Sequence, residues 1–177
     1  PSIAPVFFEV TATDNCSGDA AAGGGGSAGF VGPYAPANWT VDFFDPSDPG
    51  TVATFDANTL RLETGADDGV FVTIPMAADG ILSFDYEYLQ EAIFVDDIII
   101  IDVDGTILLE IDFDNDQVNT GSGSISEMVP AGALLLISME GDGFATSGNT
   151  SFIEITNFSG PLSGGGSTTT VDVDISG

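Results

Sequence analysis

The chain has 177 residues, 28 of them acidic against a single cation, Arg61, with no lysine and no histidine, for a formal charge of −27. Without histidine or lysine there is no Ser-His-Asp or Cys-His relay, no imidazole metal ligand, no Schiff base and no phosphate-loop lysine. The missing basic surface also excludes nucleic acid and an anionic membrane as partners.

Cys16 is the only cysteine, so an internal disulfide is excluded and pairing with another chain is left. Hydrophobic residues make up 43% of the chain, which favours a folded domain over a disordered polyanion. No run reaches the roughly 18 to 20 apolar residues of a membrane span. The chain begins at Pro1 and carries no signal peptide, as expected of a processed or excised piece of something longer. Aspartate outnumbers glutamate 20 to 8, and aspartate settles in turns and oxygen-rich loops rather than in helices.

Residues 3–13 (IAPVFFEVTAT) read as a first strand interrupted by Pro5, and residues 14–29, with Gly23 to Gly26, as a linker or long surface loop. Residues 38–44 (NWTVDFF) form the next strand, closed by DPSDPG at 45–50. Strands at 51–55 and 60–63 follow, and the ADDG turn at 66–69 opens another at 70–76. A second turn, AADG at 77–80, opens the most regular strand, 81–88. There Leu82, Phe84, Tyr86 and Tyr88 alternate with Ser83, Asp85 and Glu87, giving one aromatic face and one acidic face.

Residues 93–103 and 106–113 meet at Asp104-Gly105, a pair suited to a type I′ hairpin turn. Strands at 124–129, 133–140 and 151–158 complete a set of about ten, and an all-β, two-sheet antiparallel β-sandwich accommodates them most economically. After Gly164 to Ser167 comes TTTVDVDIS at 168–176, a strand on a glycine tether. It is free to complete its own sheet, to open a further domain, or to enter a neighbouring subunit by β-augmentation; residues 6–10 are a second candidate for such exchange. Three segments result: an N-terminal strand and Gly-rich linker at 1–29, the sandwich at 30–160, and a linker with a C-terminal strand at 161–177.

Asp112, Asp114 and Asp116 have the spacing that opens an EF-hand loop, but Gln117 takes the glycine position and Gly123 the place of the bidentate glutamate. An EF-hand is therefore excluded, and a calcium loop of another kind is left. A hairpin at Asp104-Gly105 brings Asp96 and Asp97 to the same end as that loop, so Asp96, Asp97, Asp112, Asp114 and Asp116 form the candidate calcium site, the alternative being a solvated acidic turn. Paired carboxylates also suit glycoside hydrolysis, but a chain this acidic supplies such pairs by accident. Trp39, Tyr34, Tyr86 and Tyr88 could stack on sugars, although the last two share the apolar phase of Leu82 and Phe84 and read as core. Asn38, Asn149 and Asn157 lie in N-x-S/T sequons that arise here by chance. Arg61, between Leu60 and Leu62, reads as an exposed strand residue paired with Glu63.

The order APANWTVDFF, TLRLETG, FVTIPMAADGILSFDYEY, GSGSISEMVPAGALLLISMEGDG and IEITNFSG, across 30–160, resembles a jelly-roll-type β-sandwich domain of very large secreted proteins of marine and gliding Bacteroidota. Separately, VTATDNCSGD near residues 10–20 is similar to the end of a hyalin-type repeat, whose partner cysteine this chain lacks. The resemblance implies a structural repeat or subunit of an extracellular filament or cell-surface adhesin, exported by a type IX route, non-catalytic, and in contact with copies of itself or neighbouring repeats. The alternative on the same sandwich is a carbohydrate-binding module with surface glycans as partners, marked by exposed aromatics in a row.

Overall fold

A computed structural model describes residues 11–13, 27–45, 50–64, 68–90, 95–113, 119–143, 151–162 and 168–170. The described residues hold thirteen strands: β1 (Thr11–Thr13), β2 (Ser27–Ala28), β3 (Thr40–Phe43), β4 (Val52–Phe55), β5 (Thr59–Thr64), β6 (Gly69–Pro75), β7 (Gly80–Gln90), β8 (Val95–Val103), β9 (Thr106–Phe113), β10 (Asn119–Val129), β11 (Leu134–Gly143), β12 (Ser151–Gly160) and β13 (Thr168–Thr170). One sheet runs β10-β7-β12-β5-β4, with β2 attached to β12, and the other runs β3-β6-β11-β8-β9. Every pairing is antiparallel. The expected β-sandwich is therefore the observed fold.

Strand periodicity builds the core. Leu60 and Leu62 of β5, Leu82 and Phe84 of β7, and Ile153 and Ile155 of β12 point inward from the first sheet; Val70, Val72 and Ile74, Ile99 and Ile101, and Leu135, Ile137 and Met139 answer from the second. The continuous run Ile98 to Ile101 divides by the same rule, with Ile99 and Ile101 fully buried and Ile98 and Ile100 half-buried on the outer face. The β8–β9 hairpin turns at Asp104 and Gly105, with φ of 49° and 82°. Both positive angles are what a type I′ turn requires.

Two departures have local causes. The strand expected at 38–44 begins only at Thr40, because Pro33 and Pro36 open two short 3₁₀ turns, Gly32–Tyr34 and Pro36–Asn38. The strand expected from Ser124 begins at Asn119, since its ladder with β7 continues through Gly121 and Gly123 to Gln90. At the start of the C-terminal segment, Thr168 to Thr170 pair with Thr11 to Thr13 over three residues; residues 6–10, the other candidate for exchange, lie outside the described residues. The rest of the hyalin-like segment, Cys16 included, lies outside the described residues.

The 30–39 stretch closes one end of the sandwich. Phe158 sits at the centre of an aromatic group with Phe30, Tyr34, Trp39 and Phe84, at ring separations of 4.9, 5.3, 5.9 and 6.2 Å. The Trp39 indole N–H donates to the Tyr34 carbonyl at 3.0 Å, and the Tyr34 hydroxyl donates to the Pro161 carbonyl at 2.6 Å while accepting from the Ala77 N–H at 3.0 Å. Gly160 provides the seat for this ring, as a Cβ there would lie 2.4 Å from it.

Burial raises the Tyr34 phenol above its ordinary value, partly opposed by the Ala77 bond. Its contribution therefore holds below the ordinary tyrosine pKa and is lost only as pH rises through the raised folded value. Tyr34→Phe strands a carbonyl and an N–H, and the urea-unfolding free energy should fall by about 2 kcal/mol. Gly160→Ala should cost about 1–3 kcal/mol by overpacking, and an unchanged midpoint in both variants would contradict this account of the plug.

Candidate functional site

A concavity forms where β12 breaks register. Its pairing with β7 shifts between Thr156 and Ser159, and Asn157 takes φ 51°, a left-handed conformation that asparagine tolerates. The bulge turns Phe158 into the core and Asn157 out to solvent. The chain around β2 wraps the bulge through Gly29 N–H to Phe158 O at 2.7 Å and Phe30 N–H to Ala57 O at 2.9 Å. What remains is an open cleft of about 370 Å³ whose polar lining comes from Asn58, Thr59, Thr156, Asn157 and Ser159.

Beside the cleft, Asp85 of β7 accepts hydrogen bonds from the Ser124 hydroxyl and, at 2.7 Å, from the Asn157 amide. These bonds, Ser124 first, hold its carboxyl below the usual aspartate range. Further along the same outer face, Glu154 lies across from Glu87 on one side and Arg61 on the other. The Arg61 guanidinium bonds to Glu63, approaches Glu154 at 3.4 Å, and stacks 3.5 Å from the Phe152 ring centroid. The pairing with Glu63 is as the sequence suggests, but Arg61 is half-buried rather than exposed, because Phe152 and Glu154 cover it.

The aromatic residues weighed as a sugar platform are committed elsewhere. Trp39 and Tyr34 are 7% and 0% exposed. Tyr86 and Tyr88 face inward, half-buried against the core, above Gly123 and Gly121 of β10. A Cβ at either glycine would lie within 2.5 Å of a tyrosine ring atom, so the Gly-x-Gly spacing makes two ring seats. The core reading of Tyr86 and Tyr88 is the one the packing supports.

The five aspartates singled out for calcium are only partly described. Asp97 pairs with Gly141 and Phe113, Asp96 with Asp142, and Ile98 with Asp112, so the backbones of Asp96, Asp97 and Asp112 share one end of the second sheet. Asp112 is exposed, and Asp114 and Asp116 lie outside the described residues. Among the described residues no group of three or more His, Cys, Asp or Glu side chains is gathered as a metal site. Asp102 and Asp104 serve the hairpin instead, accepting from the Gly105 and Leu134 N–H groups at 2.8 Å each.

Asp68 was readable in the sequence only as a turn residue. It is buried at the start of β6, accepts from the Asp45 N–H at 2.7 Å through Oδ1, and receives the Gly141 N–H on its backbone carbonyl at 2.8 Å. Among the described residues its Oδ2 has no hydrogen-bond partner, nor do Thr64 Oγ1 and Ser151 Oγ at the same end of the sandwich. No pattern in the ADDG turn signals that burial.

No protein-family model and no curated protein matches the sequence. Among solved structures, the chain is similar to TmCBM61 in complex with beta-1,4-galactotriose, at 12% identity, covering 75% of this chain and 93% of that one, with a TM-score of 0.41. It is also similar to a family 35 carbohydrate binding module from Clostridium thermocellum, at 13% identity, 65% and 90% coverage and a TM-score of 0.34. Dimeric latent PorU from Porphyromonas gingivalis matches at 10% identity, 70% and 13% coverage and a TM-score of 0.33.

Because its folded pKa is lowered, Asp85 contributes stability above the ordinary aspartate pKa that is lost as pH falls through the lowered folded value. A carboxyl ¹³C titration should find Asp85 still ionised where unperturbed aspartates are half protonated. Ser124→Ala should raise that midpoint more than Asn157→Gly, and a midpoint moved by neither would reject the hydrogen-bond account.

Proposed function

We propose that this chain is a non-catalytic, extracellular β-sandwich module that binds a neutral glycan in the cleft at the β12 bulge. The observation that carries the reading is an open concavity of about 370 Å³ whose lining includes Asn58, Thr59, Thr156, Asn157 and Ser159, residues that carry amide and hydroxyl donors and acceptors, beside the apolar Ala28 and Phe158. Such groups match sugar hydroxyls and bring no positive charge to an anion. Uronate or sulfated glycans are disfavoured further by the net charge of −27, with the one guanidinium already engaged by Glu63 and Glu154. The carboxylate beside the cleft, Asp85, is held ionised and so is unsuited to act as a general acid.

A second reading treats the domain as a structural unit of an extracellular filament or surface adhesin, and the pairing of β1 with β13 favours it. An isolated two-stranded ladder of three residue pairs is marginal in water. The same strands could re-form between copies, end to end. Under this reading a calcium site at Asp96, Asp97, Asp112, Asp114 and Asp116 offsets repulsion between acidic neighbours.

Titration calorimetry with neutral oligosaccharides, beta-1,4-galactotriose among the first, should detect binding, and oligogalacturonate should not bind. Asn58→Ala should weaken affinity about tenfold, the worth of one hydrogen bond of about 1.4 kcal/mol, with the melting temperature unchanged. Absence of binding across a broad neutral glycan panel would reject the module reading. For the second reading, deletion of residues 168–177 should leave a folded monomer in sedimentation where the full chain forms higher species; identical profiles would reject strand exchange.

A further inference from the structure

We propose that a divalent cation of the calcium class binds between the two sheets at the end opposite the cleft, with Asp68 Oδ2, Thr64 Oγ1 and Ser151 Oγ as its side-chain ligands. Three observations meet there. Asp68, Thr64 and Ser151 are 4%, 1% and 2% exposed, and each has a buried oxygen without a hydrogen-bond partner. Thr64 and Ser151 are direct cross-strand partners and share the inward phase of Leu60 and Leu62 and of Ile153 and Ile155, so both hydroxyls face the space between the sheets. Asp68 stands where the connection from β5 reaches β6 in the facing sheet, four residues after Thr64.

Charge decides what fills such a place. Buried polar groups of native proteins are nearly always satisfied, and an ordered water would serve the two hydroxyls. A buried carboxylate holding a single hydrogen bond from the Asp45 N–H needs a positive charge as well. The chain has no lysine or histidine, and its one arginine is spent on the outer face of the other sheet with Glu63 and Glu154. A compensating cation can therefore come only from solution. Oxygen-only ligands of mixed carboxylate and hydroxyl type suit a hard cation that keeps some of its water.

This site differs from the five-aspartate candidate in its ligands, although the backbones of Asp96, Asp97 and Asp112 lie at the same end of the second sheet. The Asp68 carbonyl accepts from Gly141, whose ladder partner is Asp97.

The test is thermal unfolding of the full chain with added CaCl₂ at high NaCl, which screens diffuse binding to so acidic a surface. Calcium at about a hundred times its dissociation constant should raise the melting temperature by about 5–10 °C. Asp68→Asn should abolish that rise. Thr64→Val and Ser151→Ala should each weaken calcium binding about tenfold while leaving the metal-free melting temperature equal or higher, since each also removes an orphaned hydroxyl. They also carry the test if Asp68→Asn does not fold. The triple variant Asp96→Asn, Asp97→Asn, Asp112→Asn should keep the rise. No calcium response in the parent chain, a full response in Asp68→Asn or in both hydroxyl variants, or its loss in the triple variant would overturn the proposal.

Discussion

Twenty-eight carboxylates share one guanidinium, so nearly every acid must find a partner other than a cationic side chain. Among the described residues the backbone supplies many of these partners. Asp56 accepts from the Asn58 and Thr59 N–H groups, Asp79 from Ala131, Asp102 from Gly105, Asp104 from Leu134 and Asp68 from Asp45. Aspartate suits this use because its short side chain reaches a main-chain donor within a turn or across to a neighbouring loop. The surplus of aspartate over glutamate is thus a surplus of turn-closing acceptors, and it leaves the strands themselves to apolar alternation.

That division shapes the sandwich. On the outer face of the first sheet, acids are spaced by serine, threonine and asparagine, and Asp85 is satisfied by Ser124 and Asn157 rather than by a charge. The bulge that exposes Asn157 also drives Phe158 into the aromatic plug. One irregularity therefore makes both a closed end for the core and an open polar cleft beside it. At the far end of the same strands, Thr64 and Ser151 bring polar atoms inside where the alternation would place another leucine or isoleucine pair. The two ends of the first sheet differ in kind: one is sealed by rings, the other is lined with oxygen.

Much of the architecture was legible because β-structure writes itself locally. Strands from 51 to 113 fall within a few residues of their expected bounds, and the turn at Asp104-Gly105 is the one its dipeptide demands. Tyr86 and Tyr88 could be assigned to the core from phase alone. The site was much less legible. The sequence marks Asp112, Asp114 and Asp116 by spacing, and the register does bring the backbones of Asp96 and Asp97 to the end where Asp112 lies. It does not mark Asn58 and Asn157 as neighbours, because their proximity depends on the pairing of β12 with β5 and on a bulge that no residue type requires.

The sequence alone determined the fold class, through period-two alternation, and excluded whole classes of chemistry, through the absence of lysine and histidine. Both are properties of single residues or of near neighbours, and they survive any arrangement in space. Only the tertiary structure decided that Gly121 and Gly123 seat tyrosine rings, that Trp39 and Tyr34 plug the core, and that Asp68, Thr64 and Ser151 are each buried while Asp112 is not. Burial and proximity between strands far apart in the chain come from register and from the packing of one sheet on the other, and a linear pattern carries neither.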